Sequence, residues 1–130
     1  MPVEVGMRGR AVAVVAEEDT AQALGSGLVP VLATPRMIAL MEQAAVNAVQ
    51  DALDPGQGTV GTRLDVTHDA ATPVGMKVTA WAEVTAIEGR RITFSVWAED
   101  NEERIGAGTH ERAIIWTEKF LAKVQGKLDK

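Results

Sequence analysis

One long, largely apolar helix followed by a run of strands limits this chain to very few architectures. The helix is Thr34 to Leu53, TPRMIALMEQAAVNAVQDAL. Thr34 stands where an N-cap belongs, and Pro35 takes the first helical position, where its missing N–H costs nothing. Projected at about 100° per residue, Gln43, Asn47, Gln50 and Asp51 gather on one side. Ile38, Met41, Ala44, Ala45, Ala48, Val49, Ala52 and Leu53 fill the opposite arc. The run DPGQG (Asp54–Gly58) then stops the helix with turn chemistry. Glu42 falls inside the apolar arc, between Ile38, Ala45, Val46 and Val49. A carboxylate there is paired, protonated, facing a wet cleft, or snorkelling from the arc's edge, because an unpaired buried charge costs several kcal/mol.

Around this helix the chain reads as strands. Residues 8–16 are rich in valine and suit a strand, and Glu17 to Leu24 suits a short helix. Gly25, Ser26 and Gly27 break it, and Leu28 to Ala33 lead as a flexible segment into the long helix. Four strands are expected after it, over 59–72, 76–88, 92–100 and 104–116, with Gly89 supplying a hairpin turn. Val78, Ala80, Ala82, Val84 and Ala86 share one face of the second of these, and Ile92, Phe94, Val96 and Ala98 one face of the third. Thr117 to Lys127 reads as a short terminal helix.

A helix apolar over half its circumference needs a sheet to cover it, and a curved antiparallel sheet wrapped around it is the economical solution. The expected class is α+β with a hot-dog fold over a single domain, residues 1–130; a helix across a flatter sheet is the other architecture considered. Such a sheet has open edges, and joining two copies edge to edge removes one of them, so a double hot-dog homodimer is expected.

A formal net charge of −5 argues against a general nucleic-acid or anionic-membrane binder. The absence of cysteine excludes disulfides, thiolate metal sites and a cysteine nucleophile. The first residues carry no apolar run of signal-peptide length and no stretch approaches a membrane span, so a cytoplasmic location is the default expectation.

Few residues remain that could do chemistry. His68 and His110 both lie in expected strands, where a lone histidine is commonly a hydrogen-bonded structural residue, and no metal site is expected from them. Neither HExxH, a phosphate-binding loop nor GxSxG occurs. GMRGR (Gly6–Arg10) precedes a strand and is no dinucleotide motif; Arg90 and Arg91 read as turn charges; Met37, Met41 and Met76 read as core fillers. Thr34, Glu42 and His68 together would supply a nucleophile or water-holder, a carboxylate and a proton shuttle, the roles hydrolysis requires. Gly61 offers an unshielded N–H for an oxyanion, although Thr34 is equally well read as a helix cap.

From about Val31 to Val124 the sequence resembles the fluoroacetyl-coenzyme A thioesterase family of hot-dog proteins. The resemblance rests on LMEQA (Leu40–Ala44), GTRLDVTHDAATP (Gly61–Pro73), IEGRR (Ile87–Arg91) and IGAGTHERAII (Ile105–Ile115). It implies Thr34, Glu42 and His68 as the catalytic set, Gly61 beside the acyl group and Arg112 near the thioester and coenzyme. The chain departs from the family between Glu17 and Ala33. Leu28 stands about where the fluoroacetate-specific enzyme carries a gating phenylalanine, and the stretch has no aromatic residue. A different, broader acyl preference follows.

The expected function is hydrolysis of a small acyl-CoA thioester at a dimer-interface cleft, with coenzyme A as part of the substrate and no separate cofactor. The alternative is a non-catalytic acyl-CoA or small-metabolite binding module on the same scaffold. A hydratase acting on enoyl thioesters ranks below both, because its Asp/His motif is absent.

Overall fold

A computed structural model describes residues 2–129. Its element order is β1 (Arg8–Val14), a 3-10 turn (Glu17–Asp19), α1 (Ala21–Leu24), α2 (Thr34–Val49), β2 (Gln57–Val66), β3 (Lys77–Glu88), β4 (Arg91–Glu99), β5 (Arg104–Trp116) and α3 (Thr117–Gln125). The five strands form one antiparallel sheet in the order β1-β3-β4-β5-β2, so β1 and β2 are its two edges. Helix α2 packs chiefly on β1 and β3 and reaches β4. This is the hot-dog arrangement: a long helix in the hollow of an antiparallel sheet.

The core is the inner face of β3 and β4 against a face of α2 that is rotated from the expected arc: it takes in Met37 and Leu40, while Ile38 and Ala48 are only half-buried. Val78, Ala80, Ala82 and Val84 of β3 and Ile92, Phe94, Val96 and Ala98 of β4 are buried against Met37, Leu40, Met41, Ala44, Ala45 and Val49. Small residues let the layers come close. A Cβ at Gly9 of β1 would collide with the backbone of Ala44 and Ala48, so a glycine is required where strand meets helix. The outer face is polar, with Trp81 and Trp97 stacked at 6.3 Å between centroids and flanked by Arg8, Arg10 and Arg104.

Local expectations shift in four places. Ala33, not Thr34, is the N-cap; Thr34 is the first helical residue and its hydroxyl is spent elsewhere. The α-helix ends at Val49, and residues 50–52 continue as a 3-10 turn that buries Ala52. A bulge between Val84 and Ala86 turns Ala86 outward, out of the face it would share with Val78 to Val84. The strand expected over 59–72 spans only Gln57–Val66, so His68 lies in the loop beyond its end.

The two halves of the sheet differ in cover. No residue of β2 is fully buried, and Gly61 to Asp65 are exposed along its free edge. The hollow beneath β5 and β2 is therefore where α2 presents Glu42 to solvent-accessible space.

Candidate active site

The candidate residues fall into two clusters, one at each end of that open hollow. The first lies at the N-terminus of α2. Thr34 Oγ1 and His68 Nδ1 are 2.7 Å apart, and no side-chain cap competes for the hydroxyl. When the threonine donates, Nδ1 accepts and the proton sits on Nε2. His68 Nε2 is buried with no hydrogen-bond partner among the described residues. Burial pushes the His68 pKa below its ordinary 6.5, against the opposing pull of the Ala70 backbone and the Asp69 carboxylate. The imidazole is thus kept neutral near pH 7, the form that can take a proton. Thr34 and His68 open onto a cleft of about 280 Å³ walled by Ser26, Gly27, Val29, Val31, Ala70 and Ala71. Leu28, between the wall residues Gly27 and Val29, is 90% exposed and is not itself part of the wall.

The second cluster surrounds Glu42. Arg112 on β5 is buried, and its Nη1 donates to Glu42 Oε2 at 3.0 Å and to His110 Nε2 at 3.2 Å. Its Nε donates to Thr59 Oγ1 at 2.8 Å and its Nη2 to the Thr59 carbonyl at 3.0 Å. The Glu42 side chain keeps 39% exposure, so one oxygen is pinned and the carboxylate still meets solvent. The apolar-arc carboxylate is therefore both paired and turned to a wet cleft. Gly61 lines the same pocket: a Cβ there would stand 2.7 Å from Glu42 Oε2 and 3.3 Å from His110 Cε1. The β2–β5 register slips between Gly61 and Arg63, a bulge that puts Gly61 opposite Arg112.

Thr34 and His68 are together, and so are Glu42, Gly61 and Arg112; the two sets are not. Eight residues along α2 separate Thr34 from Glu42, about 12 Å of helix axis. His110 and Thr59 are the members that sequence reading passed over. The alternation in THER was the available signal, since residues 110 and 112 of one strand must face the same way. Among the described residues there is no group of three or more His, Asp or Glu that could hold a metal ion, and no helix long and apolar enough to cross a membrane.

The family model for the fluoroacetyl-CoA-specific thioesterase matches residues 15–118. The chain belongs to this family. A fluoroacetyl-CoA thioesterase of Streptantibioticus cattleyicolor is 53% identical over 97 residues, covering 75% of this chain and 70% of that protein. A solved structure of the fluoroacetyl-CoA thioesterase FlK superposes with a TM-score of 0.92 at 44% identity, covering 98% of both chains. Threonine mutants of that enzyme have been solved with fluoroacetate and with acetyl-CoA. A thioesterase superfamily member from Thermus thermophilus gives a TM-score of 0.90 at 28% identity, covering 98% of this chain and 95% of its own. Membership of the fluoroacetyl-CoA-specific thioesterase family sets the enzyme class as acyl-CoA thioester hydrolase.

Proposed function

We propose that the protein hydrolyses small acyl-CoA thioesters in a cleft shared by two copies of the chain, with Thr34 and His68 of one meeting Glu42, Gly61 and Arg112 of the other. The observation that carries this reading is the Thr34–His68 hydrogen bond, held open to a cleft yet about 12 Å along α2 from the carboxylate it needs. Edge geometry supports the partnership. If the exposed Gly61–Asp65 edge of β2 pairs antiparallel with its own copy about a two-fold axis near Arg63, residue 63+n lies opposite residue 63−n. Residues 66–68 of one chain then run beside residues 58–60 of the other. His68 arrives next to the Thr59–Arg112 end of the partner's pocket.

The chemistry follows from the donors and acceptors present. The Thr34 hydroxyl, or a water it holds, forms a bond to the thioester carbon while its proton passes to His68 Nδ1. The C–S bond then breaks, and the proton goes from His68 to the leaving thiolate; where Thr34 itself has attacked, a water that gives its proton to His68 opens the threonine ester and returns the hydroxyl. Water and thioester become carboxylic acid and thiol. Glu42 of the partner subunit orients the nucleophile, or attacks first to give an anhydride that water opens. The Gly61 N–H binds the developing oxyanion, a contribution of order 3 kcal/mol.

Selectivity for fluoroacetyl groups is not part of this reading. Apart from Thr34, His68 and Asp69 the cleft walls are small or aliphatic, and the exposed Leu28 beside them is no aromatic, which suits short acyl groups of several kinds. The test is thiol release from a panel of short acyl-CoAs, wild type beside Glu42→Gln. Turnover that falls by about 10²–10⁴-fold in the variant is expected. Full turnover in Glu42→Gln would remove the carboxylate from the mechanism.

A further inference from the structure

His110 has no role in the steps above, yet it is the most completely enclosed polar side chain near them. It is 1% exposed, stacks on Phe94 at 6.0 Å between centroids, and both its ring nitrogens are engaged. Nδ1 lies 2.8 Å from the Arg63 carbonyl, which can only accept, so Nδ1 carries the proton. Nε2 lies 3.2 Å from Arg112 Nη1, which can only donate, so Nε2 offers its lone pair. The partners on either side thus fix the ring as the neutral Nδ1–H tautomer.

Each bond ends on a different part of the pocket. The Nδ1 bond holds the carbonyl of Arg63, the residue just past the bulge, and so helps fix the strand beside Gly61. The Nε2 bond takes one of the two protons on Nη1. The other is directed to Glu42 Oε2, and Thr59 holds the far side of the guanidinium. A guanidinium is a planar fork, so fixing three of its corners fixes the fourth.

From these contacts we infer that His110 is a positioning residue for the thioesterase reaction. It fixes the arginine that aims Glu42 and the bulge that carries the Gly61 N–H, and does so only while Nε2 is unprotonated. The inference rests on Glu42 serving in the reaction as proposed. Protonation of Nε2 would set a second cation against Arg112, with Glu42 on α2 and Glu111 on β5 the nearby opposing charges. Burial lowers the His110 pKa, with Arg112 acting in the same direction, which protects the neutral form.

Two substitutions separate the two bonds. Asparagine places an N–H near the Nδ1 position and nothing at Nε2; glutamine places a carbonyl oxygen near Nε2. Expected results are a fall in kcat of about 10-fold or more for His110→Asn with KM changed less than threefold, and recovery of at least part of that loss in His110→Gln. Thermal unfolding of both variants is measured alongside. Comparable kcat in the two variants, or losses that track their melting temperatures, would overturn the inference and leave His110 a core residue. Glu42→Gln run in parallel keeps the premises apart. If it retains full turnover, the reading of Glu42 has failed; if it is inactive while His110→Asn is fully active, the inference about His110 alone has failed.

Discussion

The two halves of the candidate site are built in opposite ways. Around Glu42 the polar groups are braced through one arginine: Arg112 is buried and holds one carboxylate oxygen, Thr59 and His110 at once, and His110 is tied to the next strand. Around Thr34 a single 2.7 Å hydrogen bond joins a helix terminus to a loop, with Nε2 of the histidine unpartnered. The braced half resides mainly in β5 and β2, whose paired backbones hold side chains to a narrow range of positions. The lightly held half uses a loop residue and a hydroxyl that no helix cap engages. The difference teaches which half is preorganised. In the proposed reaction a fixed Glu42 and Gly61 N–H suit electrostatic stabilisation, which loses its value if the donors must reorganise. The proton exchange proposed between Thr34 and His68 instead needs freedom to make and break one bond.

The largest expected effect tests whether the halves belong to different chains. Thr34→Ala and Glu42→Gln are each expected to lower turnover by about 10²–10⁴-fold. Mixed after unfolding and refolding together, they would form heterodimers in which one of two cleft sites has both native residues. About half the dimers are then mixed and half their sites complete, so about a quarter of wild-type turnover should return. If each chain holds its own complete site, mixing restores nothing.

Next comes the braced half's tolerance of crowding. Gly61→Ala would put a methyl 2.7 Å from Glu42 Oε2 and 3.4 Å from Arg112 Nη1, so the carboxylate must shift. A displacement of that order is expected to cost about 10- to 100-fold in kcat. Unfolding should change little, since Gly61 is exposed on an edge strand. Unaltered kcat would show the braced half to be more yielding than its contacts imply.

A smaller effect is expected from pH, and here the halves respond alike. Burial lowers the pKa of both His68 and His110 below 6.5. As pH falls through 6.5 the unfolded chain takes up protons before the native one does, so the unfolded state is favoured. Stability from this source is complete above about pH 6.5 and declines as pH falls towards the lowered native values. The acid limb of kcat/KM should accordingly lie below 6.5. Unfolding midpoints that are flat between pH 7 and 5 in wild type, and unchanged in His110→Gln, would remove the burial argument for His110.

The strands of the core were legible in the sequence because their period is local. Ile92, Phe94, Val96 and Ala98 alternate without interruption, and all four are buried. Thr34, Glu42, His68, Gly61 and Arg112 were legible as candidates, by residue type and by likeness to a family. Their partnerships were not. Glu42 meets Arg112 across 70 positions of sequence and Thr34 meets His68 across 34, and no local pattern encodes a contact at that range. Thr34 looked like a cap because caps are local; its hydroxyl serves a residue that only the fold brings near. His68 looked like a strand residue because TRLDVTH partly alternates. The chain leaves the sheet at Val66, and the loop that results is what turns the imidazole towards α2.

The smallest expected effect concerns the rim of the lightly held half. Leu28 is 90% exposed and lies between Gly27 and Val29, both on the cleft wall. An exposed side chain touching little contributes little, so Leu28→Ala should shift stability by less than about 0.5 kcal/mol. Its effect on kcat/KM across short acyl-CoAs should stay within about threefold, because one apolar group at a pocket mouth discriminates by about 1–3 kcal/mol only when enclosed. Leu28→Phe supplies the aromatic that this segment lacks and is the sharper variant. If the open rim is what broadens acyl preference, the ratio of fluoroacetyl-CoA to acetyl-CoA turnover should rise in Leu28→Phe while the Thr34-dependent chemistry is retained. A ratio that does not move would transfer the control of selectivity from this rim to the braced half, where Gly61 and Glu42 face the acyl carbon in the proposed cleft.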